Sequence, residues 1–216
     1  MARFEEVAAS GEPVSLARVV ERAVKVLRAQ GILAHPTDTV YGIGGACLVE
    51  VDSRVAALKG RGVEEFPLVR IAADATVIQS SFPALEWNPW AEVLADTFWP
   101  GPLTLVLDDG TGTGVAVRVE GHPVLGSVLR AWGAPISSTS LNRAGESPAV
   151  TSIEAKRNLD RMPDAGIPIL LVDAGDLPGP PPSTLVSLAG AEPAVLREGA
   201  LPAESILDCL RGIRRS

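Results

Sequence analysis

The sequence has little cysteine, and its two cysteines lie far apart. Cys47 and Cys209 each lack a second cysteine at the C-x-x-C spacing that is typical of zinc sites. This spacing argues against a structural zinc ion, and we predict no metal ligands in the protein. Two free thiols indicate a chain that works in a reducing compartment.

The sequence also lacks long apolar runs. No stretch approaches the roughly 20 apolar residues that a transmembrane helix needs. The N-terminus contains no apolar signal core. We therefore expect a soluble, cytoplasmic protein that makes no contact with a membrane.

Several catalytic motifs are absent as well. The sequence contains no G-x-x-x-x-G-K-S/T phosphate loop, no G-x-G-x-x-G fingerprint after a strand and no G-x-S-x-G nucleophile elbow. The only histidines are His35, expected to pack at a strand end, and His122, expected to open a helix at Pro123. We predict no covalent nucleophile. Hydroxyls, cations and backbone groups would instead act by positioning and charge neutralisation, which suits attack on phosphorus.

What is present is the composition of an ordinary globular protein. The chain has 216 residues, of which 46% are hydrophobic and 21% are charged. This length fits one large domain, or one domain with small appendages. The formal net charge of −7 disfavours a broad nucleic-acid-binding face but leaves room for a local basic pocket.

Predicted helices and strands are intermingled along the chain. Apolar residues at helical spacing predict a helix over 15–29, with Ser15 as its N-cap. Further helices are expected over 50–59, 88–97, 123–132, 151–160 and 202–211. Strands are expected over 31–36, 67–73, 103–107, 115–119, 134–136, 167–173, 184–188 and 193–197. Because strands and helices do not alternate strictly, we predict a mixed sheet covered by helices.

Hydroxyl side chains gather at three junctions between apolar segments and loops. These junctions are Thr37-Asp38-Thr39, the run from Ser137 to Asn142, and Ser183-Thr184. Any one of them is more often a turn or a helix cap. Three in one domain favour a shared pocket for a polar ligand.

Four cations are candidates for binding an anionic ligand. Lys59 and Arg61 follow a predicted helix beside glycines, and two cations at this spacing can converge on a polyphosphate. The alternative for this pair is a solvated helix end. Arg118 lies within a predicted strand, where it needs a carboxylate partner from the protein or from a ligand. Arg197 ends the last strand, and both strand arginines fit ordinary edge positions too.

Read in order, these segments resemble the threonylcarbamoyladenylate synthase family, whose core is the YrdC domain. The matching stretches, each weak alone but specific as an ordered set, are His35-Pro-Thr-Asp-Thr-Val-Tyr-Gly42, Lys59-Gly-Arg61, Phe98-Trp-Pro-Gly-Pro-Leu-Thr104, Val117-Arg-Val119 with His122-Pro123, Ser138-Thr-Ser-Leu-Asn142, Pro182-Ser-Thr184 and Arg197-Glu-Gly199. The resemblance implies an α/β fold with a twisted mixed β-sheet, flanking helices and a large concave cleft. It implies a YrdC-like catalytic domain over 15–200, after an N-terminal lead-in over 1–14 and before a C-terminal helix and tail over 201–216.

The resemblance also implies an enzyme, a nucleotidyltransferase. Its substrates would be L-threonine, bicarbonate and ATP, and its products threonylcarbamoyl-AMP and pyrophosphate. The amine of threonine would capture carbon dioxide, and the carbamate would attack the α-phosphate. Mg²⁺ bound with ATP would neutralise the departing pyrophosphate. The product feeds the threonylcarbamoyladenosine modification of tRNA, so a tRNA-modifying transferase is an expected partner downstream.

Site residues follow from the same resemblance. The residues that would hold threonine and its carbamate are Thr39, Arg118, Ser138 and Ser183, with Arg118 on the substrate carboxylate. Those that would hold ATP are Lys59, Arg61, Ser140, Asn142, Arg197 and the backbone near Ala149. The expected catalytic residues are Lys59, Arg61 and Arg118. Three residues of the first motif are expected to serve structure, Thr37 and Asp38 by shaping the turn and Tyr41 by packing.

Some positions depart from the family's pattern. Glu64 and Glu65 follow the Lys-x-Arg element and would lie close to a triphosphate. Leu141 replaces a smaller residue and is expected to narrow the adenosine side of the cleft, and Ala144 stands where a serine is common. A weakened paralogue of the same fold is therefore one alternative function.

Two further alternatives come from proteins with the same kind of domain. One is a double-stranded RNA-binding module, against which the acidic charge counts, so that only weak RNA contact is expected. The other is carbamoyl transfer in hydrogenase maturation. That system carries zinc-finger and acylphosphatase-like modules, for which this chain has no matching segment.

Overall fold

A computed structural model of the chain describes residues 3–9, 13–60, 68–143, 145–179, 181–211 and 213. Within these residues the strands are β1 (Glu5–Ala8), β2 (Ile32–His35), β3 (Gly42–Ala46), β4 (Val69–Ala72), β5 (Leu103–Leu107), β6 (Val115–Val119), β7 (Ile136–Ser140), β8 (Ile169–Asp173), β9 (Thr184–Ser187) and β10 (Ala194–Arg197). The helices are α1 (Pro13–Arg28), α2 (Val49–Leu58), α3 (Ala75–Ser81), α4 (Pro89–Phe98), α5 (Pro123–Trp132), α6 (Ser152–Asp160) and α7 (Ala203–Leu210).

All the described strands belong to one mixed sheet. Its order is β1-β8-β2-β3-β7-β4-β6-β5-β9-β10. The pairs β1/β8, β2/β8, β4/β6 and β5/β9 are parallel, and the other neighbours are antiparallel. The prediction of a mixed sheet covered by helices is therefore confirmed. The division into lead-in, domain and tail stays a prediction, although β1 lies inside the expected lead-in and pairs with β8.

Helices cover both faces of the sheet because successive strand residues point in opposite directions. On β2, Ile32 packs with apolar residues of α2 and α6, whereas Leu33 packs with those of α1 and α5. Over β5, β6 and β9 the core is completed by α3, α4 and α7. No helix of the described residues combines the length and the apolar character needed to cross a membrane.

Two strands near the site differ from the prediction. The glycine-rich β3 was not among the predicted strands, yet it runs between β2 and β7. A Cβ added at Gly44 would lie 1.7 Å from the carbonyl oxygen of Ser137, so glycine is required for this close approach. Strand β7 was expected to end at Ile136 but continues to Ser140, because its backbone pairs with β3 over this whole length; the hydroxyls of Ser137 and Ser138 bond to groups of β3 and β2.

Two helix starts test the predicted caps. Ser15 is not an N-cap, since α1 begins at Pro13 and the Ser15 hydroxyl donates to the carbonyl oxygen of Ala8. His122 does open α5, and its Nδ1 accepts a hydrogen bond from the backbone of Val124. The peptide bond between Trp99 and Pro100, in the turn before β5, is cis.

Candidate active site

Lys59, directly after α2, reaches two of the residues predicted to hold ATP. Its ammonium donates to the carbonyl oxygen of Ser140 at 2.5 Å and to Oδ1 of Asn142 at 3.1 Å. The hydroxyl of Ser140 donates to the same Asn142 oxygen at 2.5 Å. Lys59 is only 5% exposed, so its charge is held by these oxygens at the end of β7. The structure thus brings three predicted nucleotide-binding residues into contact.

Leu141 does not face these polar groups. It is fully buried in the core between β2, α2 and α6, which corrects the expectation that it narrows the adenosine side. Its backbone donates to the carbonyl oxygen of Tyr41 and accepts from Ala149, whose own carbonyl accepts from Tyr41. The backbone N–H of Ala149 is therefore used within the protein, and its predicted contact with ATP stays a prediction.

Tyr41 packs as expected and also forms hydrogen bonds. The ring is fully buried, and the phenol donates to the carbonyl oxygen of Gly175 at 2.7 Å and accepts from the backbone of Ala174 at 3.1 Å. Burial raises the pKa of Tyr41 to about 12. The phenol thus connects the loop after β2 to the segment after β8 through two hydrogen bonds.

Arg118 finds its carboxylate partners within the protein. Its guanidinium forms an ion pair with Asp38, and its Nη2 lies 3.8 Å from Oε2 of Glu120. Nε also donates to the carbonyl oxygen of Gly101 at 3.1 Å. Burial lowers the pKa of Arg118, while the Glu120 carboxylate raises it in opposition. The ion pair gives Asp38 a role that the expectation of a turn-shaping residue had missed.

Glu120, directly after β6, connects the loop after β2 to the end of β6 through hydrogen bonds. One of its carboxylate oxygens, Oε1, accepts from the backbone of Asp38 and from that of His122, both at 2.9 Å. The side chain is fully buried. The sequence signal for this residue is a carboxylate two positions after Arg118, on the same face of an extended chain, and it was not recognised.

Thr37 organises the turn that carries Thr39. Its hydroxyl donates to the carbonyl oxygen of Val40 at 2.6 Å and accepts from the backbone of Thr39 and of Val40 at 3.2 and 3.1 Å. The hydroxyls of Thr37 and Thr39 are 3.0 Å apart. The expectation that Thr37 shapes the turn is confirmed.

His35, at the end of β2, contacts Ser138 on β7. Its Nε2 lies 3.2 Å from Oγ of Ser138, across β3, and its Nδ1 lies 3.2 Å from the carbonyl oxygen of Pro36. The ring is fully buried, and burial lowers its pKa to about 4. Gly42 makes this reach possible, since a Cβ there would lie 2.6 Å from Cε1 of His35 and 2.9 Å from Oγ of Ser138.

Arg197, the last residue of β10, contacts Ser183, which directly precedes β9. Arg197 donates to the carbonyl oxygen of Ser183 at 2.9 Å, and the hydroxyl of Ser183 lies 2.8 Å from that of Thr104 on β5. Burial lowers the pKa of Arg197, and its charge also acts on Arg118. The structure thus brings together Ser183, which was predicted to hold threonine, and Arg197, which was predicted to hold ATP.

Four of the residues singled out from the sequence, Arg61, Glu64, Glu65 and Ala144, lie outside the described residues.

Two cavities of about 720 and 380 Å³ lie beside β1 and α1 and contain none of the predicted site residues. They do not coincide with the cleft that the resemblance implies. Among the described residues, no group of three or more His, Cys, Asp or Glu side chains is arranged to hold a metal ion.

Comparison with known sequences finds one family. The family model Sua5/YciO/YrdC, described as telomere recombination, matches residues 25–199. A threonylcarbamoyl-AMP synthase of Stenotrophomonas maltophilia is 37% identical over 175 residues, covering 76% of this chain and 91% of that protein. A putative threonylcarbamoyl-AMP synthase of Mycobacterium tuberculosis is 34% identical over 213 residues, covering 92% of each.

Solved structures give the same fold. The crystal structure of P. abyssi Sua5 complexed with L-threonine matches with a TM-score of 0.79 and 27% identity over 99% of this chain. The match covers 62% of that protein, so the present chain spans less than two thirds of its length. E. coli YciO matches with a TM-score of 0.77 over its whole length, at 21% identity, which supports the fold alone.

Proposed function

The chain belongs to the Sua5/YciO/YrdC family, and from this premise we propose that it is an L-threonylcarbamoyladenylate synthase. Relatives that bear the name threonylcarbamoyl-AMP synthase, and a family structure holding L-threonine, support the proposal. The single observation on this chain that carries it is the contact of Lys59 with Ser140 and Asn142. A buried cation among hydroxyl and amide groups suits a phosphate-bearing ligand.

The proposed reaction joins three substrates in two steps. The amine of threonine loses a proton and bonds to the carbon of carbon dioxide, which bicarbonate supplies by releasing hydroxide. One carbamate oxygen then attacks the α-phosphorus of ATP. The bond from that phosphorus to its bridging oxygen breaks, and pyrophosphate leaves with the electron pair. The step transfers AMP to the carbamate, which makes the enzyme a nucleotidyltransferase.

In this proposal one set of residues holds threonine and another set holds ATP. Thr39, Arg118, Ser138 and Ser183 hold threonine and its carbamate, and Arg118 exchanges its internal partner Asp38 for the substrate carboxylate. Lys59, Ser140, Asn142 and Arg197 hold ATP, together with Arg61. The two buried cations, Lys59 and Arg118, act by neutralising charge on substrate oxygens that are positioned for reaction.

In this proposal Mg²⁺ would bind together with ATP. The described residues present hydroxyls, amides and cations near Lys59 rather than a carboxylate cluster, which does not fit an ion held by the protein alone. When bound to the triphosphate it would offset negative charge on pyrophosphate.

The product suits a transferase that modifies tRNA. A mixed anhydride of a carbamate and AMP is an activated acyl donor, so an enzyme that transfers the threonylcarbamoyl group to tRNA would consume it. We place this exchange in the cytoplasm, where tRNA and ATP are available.

The proposal is tested by measuring pyrophosphate release from the purified chain. Release is expected only when L-threonine, bicarbonate and Mg-ATP are all present. It is expected to be abolished in Arg118→Ala and in Arg61→Ala, and retained in Arg130→Ala, which removes an exposed arginine of α5. Release that does not change when threonine is omitted would contradict the proposal.

A further inference from the structure

The side-chain amide of Asn142 is fully used within the protein. Its Oδ1 accepts from the ammonium of Lys59 at 3.1 Å and from the hydroxyl of Ser140 at 2.5 Å. Its Nδ2 donates to the carbonyl oxygens of Arg143 and Glu146, at 3.0 and 2.6 Å. A carboxamide offers two donor hydrogens and two acceptor lone pairs, so these four contacts occupy it completely. Asn142 can therefore act on a nucleotide only through its neighbours.

Glu146 is itself held by Arg161, which directly follows α6. The two terminal nitrogens of the guanidinium donate to the two carboxylate oxygens of Glu146, at 3.0 and 2.6 Å. Such a bidentate contact fixes direction as well as distance, which a single bond between two partly exposed side chains does not. The ion pair thus holds Glu146 where its carbonyl oxygen can accept from Asn142.

Helix α6 makes a second contact with the same part of the chain. Nδ2 of Asn158 donates to the carbonyl oxygen of Leu141 at 3.0 Å, and both residues are buried. The backbone is therefore held from this helix and its C-terminal end on both sides of Asn142, at Leu141 and at Glu146. Asn142 in turn orients the ammonium of Lys59.

We infer that Glu146 and Arg161 are positioning residues of the nucleotide site, which act on Lys59 through Asn142. The inference rests on the proposed function and gives Asn142 an indirect part in holding ATP. Without the ion pair, the backbone at Glu146 gains freedom and Lys59 is oriented less well towards a phosphate. The bonds described above include no residue that is assigned to threonine, so threonine binding does not depend on the pair.

The test compares Glu146→Gln, Arg161→Gln and the double variant. Affinity for a non-hydrolysable ATP analogue is measured by calorimetric titration, and affinity for L-threonine by NMR titration. Each single change is expected to weaken binding of the analogue by about threefold to fivefold and to leave that of threonine unchanged. Because the two side chains act through one contact, the double variant should bind no more weakly than either single variant.

The sign of the effect separates positioning from a simple effect of charge. Charge alone predicts that loss of the Glu146 carboxylate strengthens binding of a polyanion and that loss of the Arg161 guanidinium weakens it. Positioning predicts weaker binding in both variants. Arg157→Gln, which removes an exposed cation of α6, is the matched control and should bind the analogue as the unaltered chain does.

Four results would overturn the inference. They are unchanged affinity for the analogue in the single variants, tighter binding in Glu146→Gln, additive losses in the double variant, and an equal loss of affinity for threonine. The last of these would mean that the pair serves only the fold.

A second measurement needs no ligand. The NMR signals of the Asn142 side-chain amide are expected to shift in Glu146→Gln and in Arg161→Gln, and to stay unchanged in Arg157→Gln. Signals that stay unchanged in all three variants would overturn the inference even if ATP binds. Shifted signals in a chain that binds no ATP analogue when unaltered would instead contradict the proposed function.

Discussion

The carboxylate of Asp38 and the guanidinium of Arg118 form a largely buried ion pair that joins the loop after β2 to strand β6. With Glu120, whose Oε1 accepts from the backbone of Asp38, the pair connects two segments that are distant in the sequence. The loop also carries Thr39, and the strand carries Arg118 itself. The ion pair therefore sets the relative positions of two residues that we assign to threonine.

Removal of Arg118 is expected to destabilise the fold as well as to stop the reaction. Arg118→Met would leave two carboxylates buried near one another without their cation, at a cost of about 3–5 kcal/mol. Denaturant unfolding at neutral pH measures this loss. Glu120→Gln is the matched control, because its amide oxygen can still accept from Asp38 and His122, and its loss is expected to be about 1 kcal/mol. Equal losses in the two variants would contradict this role of Arg118.

Lys59→Met is expected to weaken ATP binding. The change removes a buried cation from Ser140 and Asn142, and loss of a charged hydrogen bond to a ligand costs about 1.5–3 kcal/mol, or roughly tenfold to a hundredfold in affinity. Calorimetric titration with a non-hydrolysable ATP analogue measures the effect. Lys25→Met, which removes an exposed lysine of α1, should bind as the unaltered chain does. Unchanged affinity in Lys59→Met would remove Lys59 from the nucleotide site.

Gly42→Ala is expected to disturb both His35 and Ser138. The added methyl group would lie 2.6 Å from the ring of His35, and such overpacking costs about 1–3 kcal/mol. Because the ring is the obstacle, the double variant with His35→Ala should be more stable than the sum of the single losses predicts. Denaturant unfolding of the four proteins measures this coupling. Strict additivity would mean that the two residues do not compete for the same space.

Tyr41 gives the stability of the protein a dependence on alkaline pH. Its pKa rises from 10.0 to about 12 because burial disfavours the phenolate. The unfolded chain therefore loses this proton first, and stability present below pH 10 is lost as the pH rises towards 12. We expect the free energy of unfolding of the unaltered chain to fall relative to that of Tyr41→Phe as the pH rises across this range. Tyr41 is the only tyrosine, so its absorbance reports the same titration, and a midpoint near pH 10 would contradict the burial.

Much of the sheet could be predicted because its signals are local. Apolar runs located β5, β6 and β8, and a proline after a polar residue marked the start of α5. The glycine-rich β3 could not be recognised, because its strand conformation depends on neighbours that approach too closely for a side chain. The hydroxyl-rich part of β7 was predicted to lie at a junction with a loop for a related reason. The partners of its Ser137 and Ser138 hydroxyls come from other strands and leave no signal in the local sequence.

The candidate site was predicted in its residue types more than in its contacts. Lys59, Ser140 and Asn142 were assigned together, and the structure joins them. The partner Asp38 of Arg118 was missed because it comes from a loop that is distant in the sequence, whereas Glu120, two positions after Arg118, had a local signal that was not recognised. His35 was expected only to pack, since its contact with Ser138 forms across an intervening strand.

The central claim is that the chain joins threonine, one carbon from bicarbonate and AMP, and the most direct test is the mass of its product. The purified chain is incubated with L-threonine, Mg-ATP and ¹³C-labelled bicarbonate. We expect a product that contains AMP, threonine and one labelled carbon, formed in step with pyrophosphate. Pyrophosphate release without any labelled adduct of AMP and threonine would contradict the claim.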